Sequence, residues 1–102
     1  MIKAVCSKGK DITSEVSEVG ARAAYFLIFD DKKLVNAIKN PFSSGGGGAG
    51  YSAAEMLSDE GVKMVISGKV GPNMVTALKD KGMTYREVHG VSAEKAAEIL
   101  LD

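Results

Sequence analysis

The chain predicts an α/β protein, a mixed sheet covered by helices, with its elements in the order β-β-β-α-β-α-β-α. Three observations lead there. Up to Asn40 the apolar residues form strand-like runs without a helical period, and from Gly50 onward they recur at helical spacing. Beyond that point short apolar strands alternate with helical stretches punctuated by glycine, proline or serine. At 102 residues a single domain over 1–102 is expected, large enough to bury roughly 60 to 70% of the unfolded chain's surface.

Each element has its own signal. Ile2 to Ser7, IKAVCS, alternates loosely and is expected as the first strand, ended by the turn Lys8-Gly9-Lys10-Asp11. Asp11 to Arg22 shows no period and reads as a loop. Ala24 to Asp30, AYFLIFD, is a continuous aromatic and β-branched run, the pattern of a strand buried on both faces. Asp31-Lys32 turns the chain, and Lys33 to Asn40, KLVNAIKN, is its antiparallel partner, stopped by Pro41.

Tyr51 to Asp59 then places Ala53, Ala54, Met56 and Leu57 at helical spacing ahead of Gly61. The unit repeats: a strand from Lys63 to Ser67, a Gly68-Lys69-Val70-Gly71 turn, and a helix from Pro72 to Lys81 stopped by Gly82. Met83 to Val88 is a weaker strand suited to a sheet edge. Ser92 caps a last helix, Ala93 to Leu101, whose Ala96, Ala97, Leu100 and Leu101 form one stripe.

Thirteen basic residues balance thirteen acidic ones, so no global field recruits nucleic acid or an anionic membrane. A charged ligand would have to be bound locally. The single cysteine, Cys6, cannot form an internal disulfide or build a metal site alone, which fits a reducing cytosol. The longest apolar run, Ala23 to Phe29, is far short of a membrane span, and the N-terminus lacks the apolar core of a signal peptide, so a cytoplasmic location is expected.

With right-handed connections, strand three runs parallel to strand one, and the helix-linked strands four and five do too. Four loops then gather at one end of the sheet: Lys8 to Asp11, Ser43 to Gly50, Ser67 to Gly71, and His89-Gly90. The same end is expected to hold the N-termini of all three helices, each with unpaired N–H groups and about half a positive charge. The loop Ser43 to Gly50, SSGGGGAG, has five glycines in its last six positions. Such bare backbone is either a mobile connection or a means of bringing amides close to an anion. With Lys8, Lys10 and Lys69 on the same rim, it reads as an anion-binding crevice.

Other chemistries fit less well. Gly45, Gly47 and Gly50 match G-x-G-x-x-G, but no acidic residue follows the next strand and the preceding strand belongs to a hairpin, so dinucleotide binding is not expected. Gly-Lys-Ser/Thr is absent after these glycines, which excludes a P-loop. No carboxylate cluster falls on the rim, and Cys6 and His89 sit on strands not expected to be neighbours, so neither metal-assisted nor nucleophilic catalysis is expected. Cys6 reads as a small buried hydrophobe or a ligand, and the lone His89 as a surface residue or a functional one.

The segments VSEVGARAAYFLIFDD, NPFSSGGGGAG, GVKMVISGKVGPNMVTALKDKGM and VHGVSAEKAAEIL together resemble the dinitrogenase iron-molybdenum cofactor biosynthesis domain over nearly the whole chain. Its most specific pieces are the Gly-rich loop after Asn40-Pro41 and the Ser-Gly-x-x-Gly-Pro-Asn turn from Ser67 to Asn73. The resemblance implies a ribonuclease-H-like α/β/α sandwich with a five-stranded sheet of order 3-2-1-4-5. It also implies carriage or assembly of an iron-sulfur or molybdenum-containing cluster rather than catalysis.

Family members commonly show Ser/Glu-His-Phe-Gly-Arg ahead of strand two, the histidine being a proposed cluster ligand. Here the stretch is Glu18-Val19-Gly20-Ala21-Arg22, so Val19 replaces the histidine while Arg22 is kept.

Two functions follow. The first is a non-catalytic binding module for an anionic metal-sulfur cluster or related anion. Its site would comprise Lys8, Arg22, Gly45, Gly46, Gly47, Gly48, Gly50, Ser67, Gly68, Lys69, Gly71, Asn73 and His89, with Cys6 and His89 the candidate metal ligands. The second is a cofactor-free interaction domain offering strand three or strand five to a protein partner or to a second copy of the chain.

Overall fold

The computed structural model describes residues 1–44 and 47–99. The strands are β1 (Ile2–Ser7), β2 (Tyr25–Asp30), β3 (Lys33–Lys39), β4 (Met64–Ser67) and β5 (Thr84–Glu87), and the helices α1 (Ala49–Asp59), α2 (Pro72–Asp80) and α3 (Ala93–Ala96). They form a five-stranded sheet in the order β3-β2-β1-β4-β5. β2 is antiparallel to both β1 and β3, while β4 is parallel to β1 and to β5. The expected mixed topology is therefore the observed one.

Burial explains this order. β1, β2 and β4 are almost wholly buried and occupy the centre, whereas β3 and β5 are largely exposed and form the edges. Ala4 and Cys6 of β1 face the layer of α1 and α2, packing with Phe26, Ile28, Val65, Leu57, Met74 and Leu78. Val5 points the other way, with Leu27, Phe29, Met64 and Ile66, against Val16, against Ala93 and Ala96 of α3, and against Ala97 just after it. Burying each large apolar side chain contributes about 1.5–3 kcal/mol, so both faces of the sheet need their covers.

Two elements depart from expectation. α3 ends at Ala96 rather than Leu101, because the chain tightens: Glu98 N–H donates to Lys95 O at 3.1 Å and Ile99 N–H to Ala96 O at 3.1 Å. The buried Lys3 Nζ takes the carbonyls of Ala97 at 2.6 Å and Ile99 at 2.9 Å, so strand β1 itself terminates the helix. Leu100 and Leu101, the rest of the expected stripe, lie outside the described residues.

The second departure is the segment Asp11 to Arg22. It is a strap stitched across the loop end of the sheet, bridging Ser7 to Val16, Glu15 to Ser92 and Val19 to Lys69. It closes with a 3-10 turn, Gly20–Arg22. Its bonds are non-local backbone pairs, which leave no periodic mark in sequence.

Candidate functional site

The strap divides the loop end into two unlike halves. On the α3 side the strap and the Ser92 cap consume the donors. Ala93 N–H donates to Ser14 O at 2.8 Å, Glu94 N–H to Ile12 O at 2.9 Å, and Lys95 N–H to Ser92 Oγ at 3.2 Å. The β4–α2 loop is treated alike: Gly68 N–H reaches Ser17 O at 2.8 Å, Lys69 N–H reaches Glu18 O at 2.6 Å, and Val70 N–H reaches Glu87 Oε2 at 2.8 Å. A Cβ on Gly68 would stand 2.5 Å from Glu18 O and 2.6 Å from Ser17 O, so glycine is required there by the strap's close approach.

On the α1–α2 side the donors are left open among the described residues. Neither helix has a side-chain cap among the described residues, and neither has an acid in its first turn; their N-caps are Gly48 and Gly71. Among the described residues the amides of Gly71, Asn73 and Met74 have no acceptor. Gly48, at φ 90°, takes a left-handed conformation that lets the chain enter α1 directly from the loop. The two helix starts nearly touch, since a Cβ on Gly50 would lie 2.9 Å from the Met74 amide nitrogen. Their dipoles converge on one space.

That space is an open pocket of about 420 Å³. Gly47, Gly48, Ala49 and Gly50 form one wall, and Gly71, Pro72, Asn73 and Met74 a second. The third wall is the 3-10 turn, through Val19, Ala21 and Arg22. Arg22 is exposed and has no ion-pair partner among the described residues. An anion entering here meets amides and a guanidinium on a partly apolar surface.

Of the residues named from sequence, Arg22, Gly47, Gly48, Gly50, Gly71 and Asn73 line this pocket. Gly45 and Gly46 lie outside the described residues. Lys8, Ser67, Gly68, Lys69 and His89 do not line it. Lys8 Nζ is held by Glu15 at 2.6 Å, with Glu18 at 3.8 Å, and the Glu15 hydrogen bond raises its pKa. Gly68 and Lys69 pair with the strap through their backbones, and His89 is exposed on the β5–α3 connection. The expected rim of three helix N-termini thus contracts to two, because strap carbonyls occupy the third.

Cys6 on β1 and Ser67 on β4 are both fully buried. Burial pushes the Cys6 thiol up to about 12, partly offset by the adjacent Ser67 hydroxyl, so it is an inert thiol rather than a thiolate. Ser67 Oγ meets no hydrogen-bond geometry with any described partner; the roof of Gly20 and Met74 closes over it. Among the described residues no group of three His, Cys, Asp or Glu side chains could hold a metal. Sequence reading missed Ala21, Ala49, Pro72 and Met74 as wall residues. Pro72 and Met74 flank Asn73 at a helix start, a signal that was available, whereas Ala21 is placed only by the strap.

The family model described as dinitrogenase iron-molybdenum cofactor matches residues 1–102. The chain belongs to this family. Its fold is shared with the apo orange protein of Desulfovibrio gigas, at TM-score 0.89 and 26% identity over 95% of this chain and 83% of that one. It is also shared with a Thermotoga protein provisionally described as NifB, at TM-score 0.81 and 32% identity over 93% of this chain and 82% of the other. No curated protein matches the chain at a significant level. Within this dinitrogenase iron-molybdenum cofactor family member, Val19, where the resemblance implies a histidine, stands on the pocket wall 42% exposed. No helix among the described residues is long and apolar enough to cross a membrane.

Proposed function

We propose that residues 1–102 act as one non-catalytic module that carries an anionic metal-sulfur cluster, iron-sulfur or molybdenum-containing, in the pocket between α1 and α2. The observation that carries this reading is the convergence of two helix N-termini, uncapped among the described residues, against a third wall bearing Arg22. Two helix dipoles and one guanidinium favour a compact anion without any strong metal ligand. The cargo would therefore arrive with its coordination sphere complete, held by outer hydrogen bonds and contact with Val19, Ala21 and Pro72. Family membership supports the cluster class.

The alternative is an interaction domain that offers edge strand β3 or β5 to a partner, and two features disfavour strand addition at β3. Lys33 and Lys39 close the ends of β3, and the ladder is broken by a bulge opposite Ile28 and Phe29; both features protect an edge from pairing.

An anaerobic amide-NMR titration with tetrathiomolybdate and with preassembled iron-sulfur cluster tests the proposal. Shifts gathered at Arg22, Gly47 to Gly50 and Gly71 to Met74 are expected. Unmoved amides there at saturating ligand would end the cluster-carrier reading.

A further inference from the structure

Asn40 follows the last residue of β3 and is only 2% exposed, yet it carries three side-chain hydrogen bonds. Its Nδ2 donates to Ala21 O at 3.0 Å and to Ala23 O at 2.8 Å, and its Oδ1 accepts from Phe42 N–H at 2.9 Å. Two carbonyls on one side and one N–H on the other permit only this orientation of the amide. Its backbone N–H adds a bond to Ala24 O at 3.0 Å. Asn40 therefore satisfies its buried polar atoms by tying two separate pieces of chain together.

The first of those pieces carries a wall of the pocket, through Ala21 and Arg22, and the second is the segment of chain that precedes Gly47. Ala21 and Ala23 flank Arg22, while Phe42 N–H is held by Asn40 five residues before Gly47. The 3-10 turn is weakly held by itself, with Arg22 N–H to Val19 O at 3.3 Å and Ala23 N–H to Gly20 O at 3.2 Å. One end is pinned by Gly20 N–H to Lys69 O at 2.9 Å. The other end is pinned by Asn40.

We infer that Asn40 is a positioning residue: it sets where the Arg22 guanidinium stands relative to the glycine-rich wall, and so tunes the pocket's affinity for an anion it never touches. The inference rests on the binding function proposed above. Removing the side chain leaves two carbonyls without donors and frees the turn's second end, which loosens a site that works only when its walls are held in register.

The test compares wild type, Asn40→Ala, Arg22→Gln and the double variant for tetrathiomolybdate binding. A ligand-free distance measurement runs alongside it, between spin labels on Val19→Cys and Ser44→Cys, Cys6 being buried. Asn40→Ala is expected to weaken binding about tenfold, with Arg22→Gln adding little on that background because the two act as one unit. The label distance should broaden with no anion present. Asn40→Ser, keeping one donor, should fall between, and it carries the test where Asn40→Ala does not fold.

Additive losses, or wild-type affinity in a folded Asn40→Ala protein, would overturn the inference. If wild type binds no anion, the proposed function fails instead. The label distance then judges Asn40 alone: broadening in the variant upholds the pinning role, and an unchanged narrow distance overturns it.

Discussion

The start of α3 and the starts of α1 and α2 lie at the same end of one sheet, yet they are finished in opposite ways. α3 has Ser92 as its cap, Glu94 in its first turn and two strap carbonyls on its leading amides. α1 and α2 begin with glycine caps and carry no acid in the first turn. A terminus that is satisfied internally contributes stability, while one left open keeps that capacity for a ligand. The contrast separates a structural helix end from a binding one within a single fold.

The most forceful way to break the contrast is to force the open pair apart. Gly50→Val places side-chain atoms against the Met74 backbone and is expected to cost on the order of 1–3 kcal/mol of stability, measured by denaturant unfolding. Anion binding should be lost with it.

A second prediction concerns the buried core beneath α1 and α2. The Cys6 thiol, raised from 9.0 to about 12 in the folded protein, stays protonated while the unfolded chain ionises, so its stabilising share is intact below pH 9. That share is lost progressively as pH rises from 9 toward 12. Unfolding free energy measured against pH should fall more steeply in wild type than in Cys6→Ala over that window. At neutral pH, thiol reagents should modify Cys6 only as fast as the protein opens.

The next two predictions sharpen the comparison directly. Ser92→Ala removes the α3 cap and should cost about 1 kcal/mol with no change in anion affinity. Asn73→Asp does the reverse: a carboxylate at the open start of α2 should add about 0.5 kcal/mol of stability while weakening anion binding, read by thermal unfolding and titration together. If Asn73→Asp leaves binding unchanged, the open helix start is not the anion's seat.

The smallest effect is expected at Lys8. Its pair with Glu15 is exposed and water-screened, and it lies off the pocket. Lys8→Ala should leave both the thermal midpoint and anion affinity where they were.

Much of this molecule was legible in sequence. The central strands showed as apolar runs such as AYFLIFD, and the helices showed by period and by the Pro72 and Gly82 signals. The glycine-rich loop announced bare backbone near a helix start. What escaped was the strap: Asp11 to Arg22 has no pattern because its bonds join carbonyls and amides of residues far apart in the chain. The lysines Lys8 and Lys69 and the helix start at Ala93 were placed on the rim by topology, but topology could not say which donors the strap would occupy. Asn40 read only as the end of a strand, since a buried amide's partners are invisible until the chain has folded.

The sequence by itself determined the order of elements, the strand directions and the end at which loops and helix starts collect, because hydrophobic period and turn chemistry are local properties; the strand order was implied only by the family resemblance. Only the tertiary structure decided which of those helix starts remained open. That choice depends on where strap carbonyls land and how closely Gly50 approaches Met74 and Gly68 approaches Glu18, and hydrogen-bond saturation is settled by proximity in space rather than by neighbours in the chain.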